Sequence, residues 1–165
     1  RRCLVGSEMC IRDRLSNALR EQGKDEEAIE LLEEALLFDT ENATTHYQLA
    51  AALAVAGRTA DSASAYKKAV QIDPNLVGAY LGLGHTLKTM GDLEGGIAAY
   101  KQARKLKPNI GEISFSLSNL KTFRFSDLEI EDMKRRLNNP NLDQPSKVAF
   151  SFSLCLLYTS DAADE

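Results

Sequence analysis

The sequence repeats itself every 34 residues, and this period constrains the fold more than any other feature. Glycine recurs at that step, at Gly23, Gly57 and Gly91. The same spacing holds for three more columns, which are Leu15, Leu49, Leu83 and Leu117; Ala35, Ala69 and Ala103; and Thr40, Pro74 and Pro108. Several independent columns at one spacing indicate stacked copies of a single structural unit.

The period and its pattern resemble the tetratricopeptide repeat, a helix-turn-helix unit of ~34 residues. The resemblance implies an all-α fold, a right-handed superhelical solenoid of such repeats. In that family small residues occur where the two helices of a repeat cross. Here these are Ser16, Ala50, Gly84 and Ser118 on the first helix, and Ala28, Ser62 and Gly96 on the second. The glycine between the helices suits the left-handed conformation that ends a helix.

We predict a repeat array over residues 15–125 and two post-repeat helices over 126–154. The array comprises repeats at about 9–42, 43–76 and 77–110, followed by another first helix from Gly111 to Phe125. Ser126 and Glu129 have the spacing of a capping box and open a helix to about Leu137. The last helix begins near Gln144 or Pro145. We expect Val148, Phe150, Phe152 and Leu154 to form an apolar surface on it.

The two ends resemble translated adapters of transposase-based sequencing libraries. Codons for Met9–Asp13, reverse-complemented and read one frame over, encode the run Cys155–Thr159. We therefore expect residues 1–14 and 155–165 to be foreign to the natural protein. All three cysteines, Cys3, Cys10 and Cys155, fall in these ends and carry no information on metals or disulfides.

Composition argues against several classes of function. The formal net charge is −4 and the pI is about 5.3. The chain therefore lacks the surplus of basic residues that is typical of nucleic-acid-binding proteins. No apolar run approaches the ~20 residues of a membrane span. His46 and His85 lack partners at ligand spacing, and no catalytic or phosphate-binding motif occurs. We expect a cytoplasmic, non-enzymatic chain that needs no cofactor or metal and contacts neither nucleic acid nor membrane.

By resemblance to the family, the first helices line a concave groove that binds a peptide, a partner protein or a downstream domain of the same chain. The predicted groove residues are Tyr47, Ala51, Val55, Leu81, His85, Lys88, Phe115 and Asn119. Chaperone-binding members grip a C-terminal carboxylate with basic residues and asparagines. Asn17 fits that set, but Asp13, Tyr47, Ala51, Gly78 and Gly82 do not, so this activity is not predicted.

A second resemblance covers about Gly111 to Leu154. The run Ser116–Asp127, followed by a helix and a turn, looks like the segment after the repeats in bacterial proteins that fuse tetratricopeptide repeats to a sulfotransferase. The resemblance implies a catalytic domain downstream that uses 3′-phosphoadenylyl sulfate. Its catalytic residues would lie beyond Leu154, so this chain is not expected to carry out the reaction itself.

Overall fold

The computed structural model describes the backbone of residues 2–120 and 122–161, and the side chains of 11, 12, 14–120 and 122–158. This part of the chain folds into nine helices and contains no strand. The helices are α1 (Arg2–Glu21), α2 (Asp25–Phe38), α3 (Ala43–Val55), α4 (Thr59–Ile72), α5 (Val77–Thr89), α6 (Leu93–Leu106), α7 (Gly111–Ser118), α8 (Asp127–Leu137) and α9 (Gln144–Asp161). The predicted all-α class is confirmed.

Each repeating glycine ends the first helix of its repeat. Gly23, Gly57 and Gly91 have φ values of 74°, 78° and 85°. The residue after each glycine donates its N–H to a carbonyl five residues earlier, as in the bond of 2.9 Å from Arg58 to Leu53. This bond satisfies a carbonyl that would otherwise have no partner at the helix end. The prediction of left-handed turns at these glycines is confirmed.

The chain divides into two compact units, one through Asp92 and one from Leu93. In the first unit α1 packs on α2, and α3 packs on α4. The small side chains predicted at the crossings, Ser16, Ala28, Ala50 and Ser62, are fully buried. Ser62 Oγ also donates a hydrogen bond of 2.8 Å to the Ala50 carbonyl. Small residues therefore allow the close helix approach that the repeat pattern predicts.

In the second unit the helix starts keep the 34-residue step. α6 begins at Leu93, and α8 begins 34 residues later at Asp127. The predicted capping box at its start is confirmed: Ser126 N–H donates to Glu129 Oε2 at 2.9 Å, and Glu129 N–H donates to Ser126 Oγ at 3.4 Å. α8 ends at Leu137 and α9 starts at Gln144, also as predicted.

The helix predicted from Gly111 to Phe125 is too long, since α7 ends at Ser118. Lys121 occupies the sequence column that Leu19, Leu53 and Leu87 fill in the earlier repeats, so a longer helix would present a lysine to the core. The apolar residues of the segment are buried without it: Leu117, Leu120 and Phe125 are all inside.

Packing departs from the repeat pattern around α7. α7 packs mainly on α9, and less on its neighbour α6. α8 also packs on α9. Gly111 lies against Ser146 and Phe115 lies against Phe152, so α7 and α9 run in the same direction. Ile130 on α8 stands in the column of Ala28, Ser62 and Gly96, so α8 lacks the small side chain that permits a close crossing in the earlier repeats.

The apolar surface predicted on the last helix is only half correct. Phe150 and Leu154 are buried, whereas Val148 and Phe152 are 45% and 57% exposed. The prediction is wrong for Phe150 and Leu154 because α7 covers one side of α9. Gly111 on α7 allows α9 to approach closely there.

No helix in the described part of the chain is long and apolar enough to cross a membrane.

Candidate partner-binding groove

The predicted groove residues of the first unit lie on α3 and α5. Tyr47, Ala51 and Leu81 are half-buried, and His85 and Lys88 are exposed. The Val55 side chain is 63% exposed and leaves apolar surface available. The helices thus present both apolar and polar groups at the surface. That these groups bind a partner stays a prediction.

Two glycines on α5 receive tyrosine rings from the neighbouring helices. A Cβ atom at Gly78 would lie 3.3 Å from Tyr47 Cε2. A Cβ atom at Gly82 would lie 2.5 Å from the Tyr66 hydroxyl oxygen, closer than real contacts allow. The two rings are tilted against each other, with centroids 6.1 Å apart. Tyr47, which is predicted to line the groove, is therefore also a packing residue.

Two unsatisfied polar groups, on Arg20 and Gln48, were not predicted from the sequence. Both are half-buried, and Arg20 Nε and Gln48 Oε1 are buried with no hydrogen-bond partner among the described residues. Burial raises the pKa of Tyr66 to about 12, and the nearby charges of Tyr47 and Arg20 act in opposite directions on it, Arg20 lowering it. Arg20 therefore lies within electrostatic reach of the Tyr66 hydroxyl. Residue spacing could not have revealed these unsatisfied groups.

The remaining predicted groove residues belong to the second unit. Phe115 on α7 is half-buried, and its ring meets Phe152 of α9 edge-on, with centroids 6.3 Å apart. Asn119, the residue that caps the end of α7, is exposed. Phe115 is thus partly covered by α9, and it is less available to a partner than its position in the repeat suggests.

A cluster of charged and aromatic side chains holds the segment between α7 and α8 against α6. Arg104 on α6 pairs with Glu129 and lies over the ring of Phe125, with Cζ 5.3 Å from the centroid. Lys101 Nζ lies 5.1 Å from the centroid of Phe123, whose ring packs edge-on against Phe125. Burial alone would raise the pKa of Glu129, but hydrogen bonds from Ser126 and the Arg104 guanidinium lower it. The cluster is structural in character.

The two histidines and the charge clusters behave as surface or packing groups. His46 Nε2 lies 3.0 Å from the Thr40 carbonyl oxygen, and His85 is exposed. No group of potential metal ligands occurs among the described residues. The acidic side chains of α2 are exposed, namely Glu26, Glu27, Glu30, Glu33 and Glu34. The basic cluster on α8 is paired within its helix, Lys134 with Glu131 and both Arg135 and Arg136 with Asp132.

Comparison with known proteins identifies the repeats. A family model described as TPR repeat matches residues 17–57, and one described as tetratricopeptide repeat matches residues 77–110. No curated protein matches the chain.

Solved structures share the fold at low sequence identity. MamA is 20% identical with a TM-score of 0.66, over 93% of this chain and 81% of that one. The first TPR of Spaghetti (RPAP3), bound to the HSP90 peptide SRMEEVD, is 23% identical with a TM-score of 0.64, over 66% of this chain and 86% of that one. The TPR domain of Arabidopsis OM64 is 22% identical with a TM-score of 0.63, over 66% and 89%. The chain thus has an all-α, solenoid-type fold, and residues 17–57 and 77–110 match tetratricopeptide repeats.

Proposed function

We propose that the chain is a non-catalytic scaffold that binds a peptide or a segment of a partner protein along α3 and α5. The observation that carries the proposal is the exposure of apolar and polar side chains together on the first-helix faces, above all Val55, His85 and Lys88. Extended concave surfaces of repeat proteins serve as binding surfaces. The RPAP3 repeats, which share the fold, hold a peptide.

The test uses peptides selected from a random library against the full chain. Val55→Asp should weaken the selected peptides about tenfold or more, because it places a charge in an apolar contact. Lys88→Glu should weaken any acidic members of the set. Leu37→Asp is the matched control, since Leu37 is 82% exposed on α2 and lies outside the proposed groove. Equal losses in Val55→Asp and Leu37→Asp would refute groove binding.

A second candidate is the repeat arm of a bacterial sulfotransferase, which would position an acceptor protein for a catalytic domain downstream. It is favoured by the segment after α7, where the run that resembles such fusions leads into the capped helix α8. Sequencing the source gene beyond Leu154 tests this candidate. A sulfotransferase domain there would support it, and a different domain or a stop codon would eliminate it.

We also propose that residues 1–14 and 155–165 are translated adapter sequence. The complementary codons that can encode Met9–Asp13 and Cys155–Thr159 support this proposal. Source reads that continue past both ends without these codons would agree with it. A genome that encodes both ends in place would contradict it.

A further inference from the structure

The last helix, α9, is apolar on its solvent side as well as on its packed side. One side packs on α7 and α8, yet Val148 and Phe152 on the other side are 45% and 57% exposed. From Gln144 to Tyr158 the helix has one charged residue, Lys147. A helix that is apolar all round is normally buried on all sides. The exposed face of α9 therefore favours a further protein contact.

The corresponding face of α3 receives another helix. Phe152 stands in the 34-residue column of Ala50, and Ser151 stands in that of Leu49. Ala50 and Leu49 are both buried, and the Ala50 carbonyl accepts a hydrogen bond of 2.8 Å from Ser62 on α4. A helix is thus the kind of element that packs on this face of the repeat.

The exposed face of α9 has the spacing of a helix-pairing seam. A hollow of about 420 Å³ on it is lined by Gln144, Lys147, Val148, Ser151, Phe152 and Cys155. Four of them, the first, third, fourth and last, follow one another at steps of four, three and four residues. Such alternation is typical of helices that pack along their length. The order is the same from either end, so an antiparallel second copy of α9 presents matching positions.

The charged residue of the seam meets an aromatic ring in that antiparallel register. Lys147 of each copy lies beside Phe152 of the other, and the two lysines do not face each other. An ammonium group over an aromatic face is attractive. The chain already makes this contact within one copy, where Lys101 Nζ lies 5.1 Å from the centroid of Phe123. Lys147 Nζ donates to the Pro140 carbonyl at 3.5 Å, a long bond that leaves the ammonium free to turn towards a ring.

The centre of the seam places a large side chain opposite a small one. Val148 of each copy lies opposite Ser151 of the other, so the two helices can approach closely. The Ser151 hydroxyl donates to the Lys147 carbonyl at 2.9 Å within its own helix. Covering Ser151 therefore leaves no unsatisfied donor.

We propose that the exposed face of α9 pairs with the same face of a second copy of the chain, antiparallel and about a two-fold axis. The seam is about 18 Å long and covers less than the ~800 Å² per partner of a standard interface, so the pairing is reversible. Five of the six lining residues precede Cys155, so the pairing does not depend on residues 155–165.

The first test measures the mass of the full chain by sedimentation equilibrium between about 10 μM and 1 mM, where a small interface should give monomer and dimer in exchange. Val148→Lys should weaken the dimer about tenfold or more, because none of the six lining residues is acidic. Leu128→Lys, at a position 83% exposed on α8, is the matched control. An equimolar mixture of Val148→Lys and Val148→Glu should regain the dimer. Circular dichroism checks that each variant is folded.

Two results of this test would overturn the proposal. One is a parent chain that stays monomeric at every concentration. The other is a dimer that Val148→Lys and Leu128→Lys weaken equally.

The second test examines orientation by disulfide cross-linking in the Cys3→Ser, Cys10→Ser chain. Gln144→Cys should give a covalent dimer on mild oxidation, because position 144 of one copy lies beside Cys155 of the other. Within one copy the two positions are about 16 Å apart along the helix, too far for a disulfide. The chain with Cys155 alone should cross-link little. Efficient cross-linking through Cys155 alone, with no gain from Gln144→Cys, would contradict the antiparallel pair.

Discussion

At the scale of single residues, side chains of the first unit are matched in size across helices. Tyr66 fits beside α5 only because Gly82 has no side chain, and Tyr47 lies against Gly78 in the same way. The sequence predicts the turn glycines from their period. It does not predict the roles of Gly78 and Gly82, because their partners lie on other helices and the pairing has no fixed spacing.

Substituting alanine at Gly82 should destabilise the fold. The new Cβ would lie 2.6 Å from Tyr66 Cε1, and the buried ring has little room to retreat. We expect a loss of about 1–3 kcal/mol in the free energy of unfolding, measured by urea denaturation of the full chain. Gly78→Ala should cost less, since its contact with Tyr47 is 3.3 Å. Tyr66→Leu should recover part of the loss in a double variant, and no recovery would contradict the packing explanation.

Gly57 tests the backbone conformation rather than packing. A Cβ there would meet nothing within 4 Å, yet φ is +78°. Gly57→Ala should therefore lower the free energy of unfolding by about 1 kcal/mol through strain alone. Gly57→Asn should cost less, because asparagine tolerates this conformation better. The urea midpoints of the two variants are compared with that of the parent chain. An alanine variant as stable as the parent would show that the turn has rearranged.

At the scale of helices, the sequence predicts where most elements begin and less well how they pack. The capping box of α8 and the start of α9 follow from local signals within a few residues. The early end of α7 is indicated by Lys121 in the leucine column. The packing of α7 on α9 does not follow from local signals, because it depends on competition between two possible partners. Ile130 in a small-residue column is the sequence signal that could have indicated this outcome.

The packing of α9 on α7 depends on Gly111. A Cβ there would lie 2.9 Å from both Ser146 Cα and Ala149 Cβ, and the Gly111 N–H donates to Ser146 Oγ at 3.2 Å. Gly111→Ala should separate the helices and speed amide hydrogen exchange in residues 144–154 relative to α3. Glu112→Ala, at the adjacent exposed position, is the control. Unchanged exchange in Gly111→Ala would contradict this close approach.

The cap of α8 should make stability depend on pH. Hydrogen bonds from Ser126 and the Arg104 guanidinium hold the pKa of Glu129 below its usual value, against the effect of burial. The stabilisation is thus present above the unfolded pKa of about 4.3 and is lost as pH falls through the lower folded value. Glu129→Gln should lower the urea midpoint at pH 7 and flatten its decline between about pH 5 and pH 3. Glu34→Gln, on the exposed face of α2, should leave that decline unchanged.

At the scale of the whole molecule, the repeat accounts for the fold class, and the partner surface rests on where its side chains are exposed. The period, through its resemblance to the tetratricopeptide repeat, predicts the helix pairs and their turns. Exposure separates the predicted groove residues: Val55, His85 and Lys88 are accessible, whereas Phe115 is partly covered by Phe152. Such differences arise from packing around each helix, which a column of equivalent positions does not record.

The most direct test of the proposed function maps a selected peptide onto the full chain by NMR chemical-shift changes. We expect the largest changes on α3 and α5, at Val55, Leu81, His85 and Lys88. Changes concentrated on the outer surface of α2 or α4, with the first-helix faces undisturbed, would contradict it.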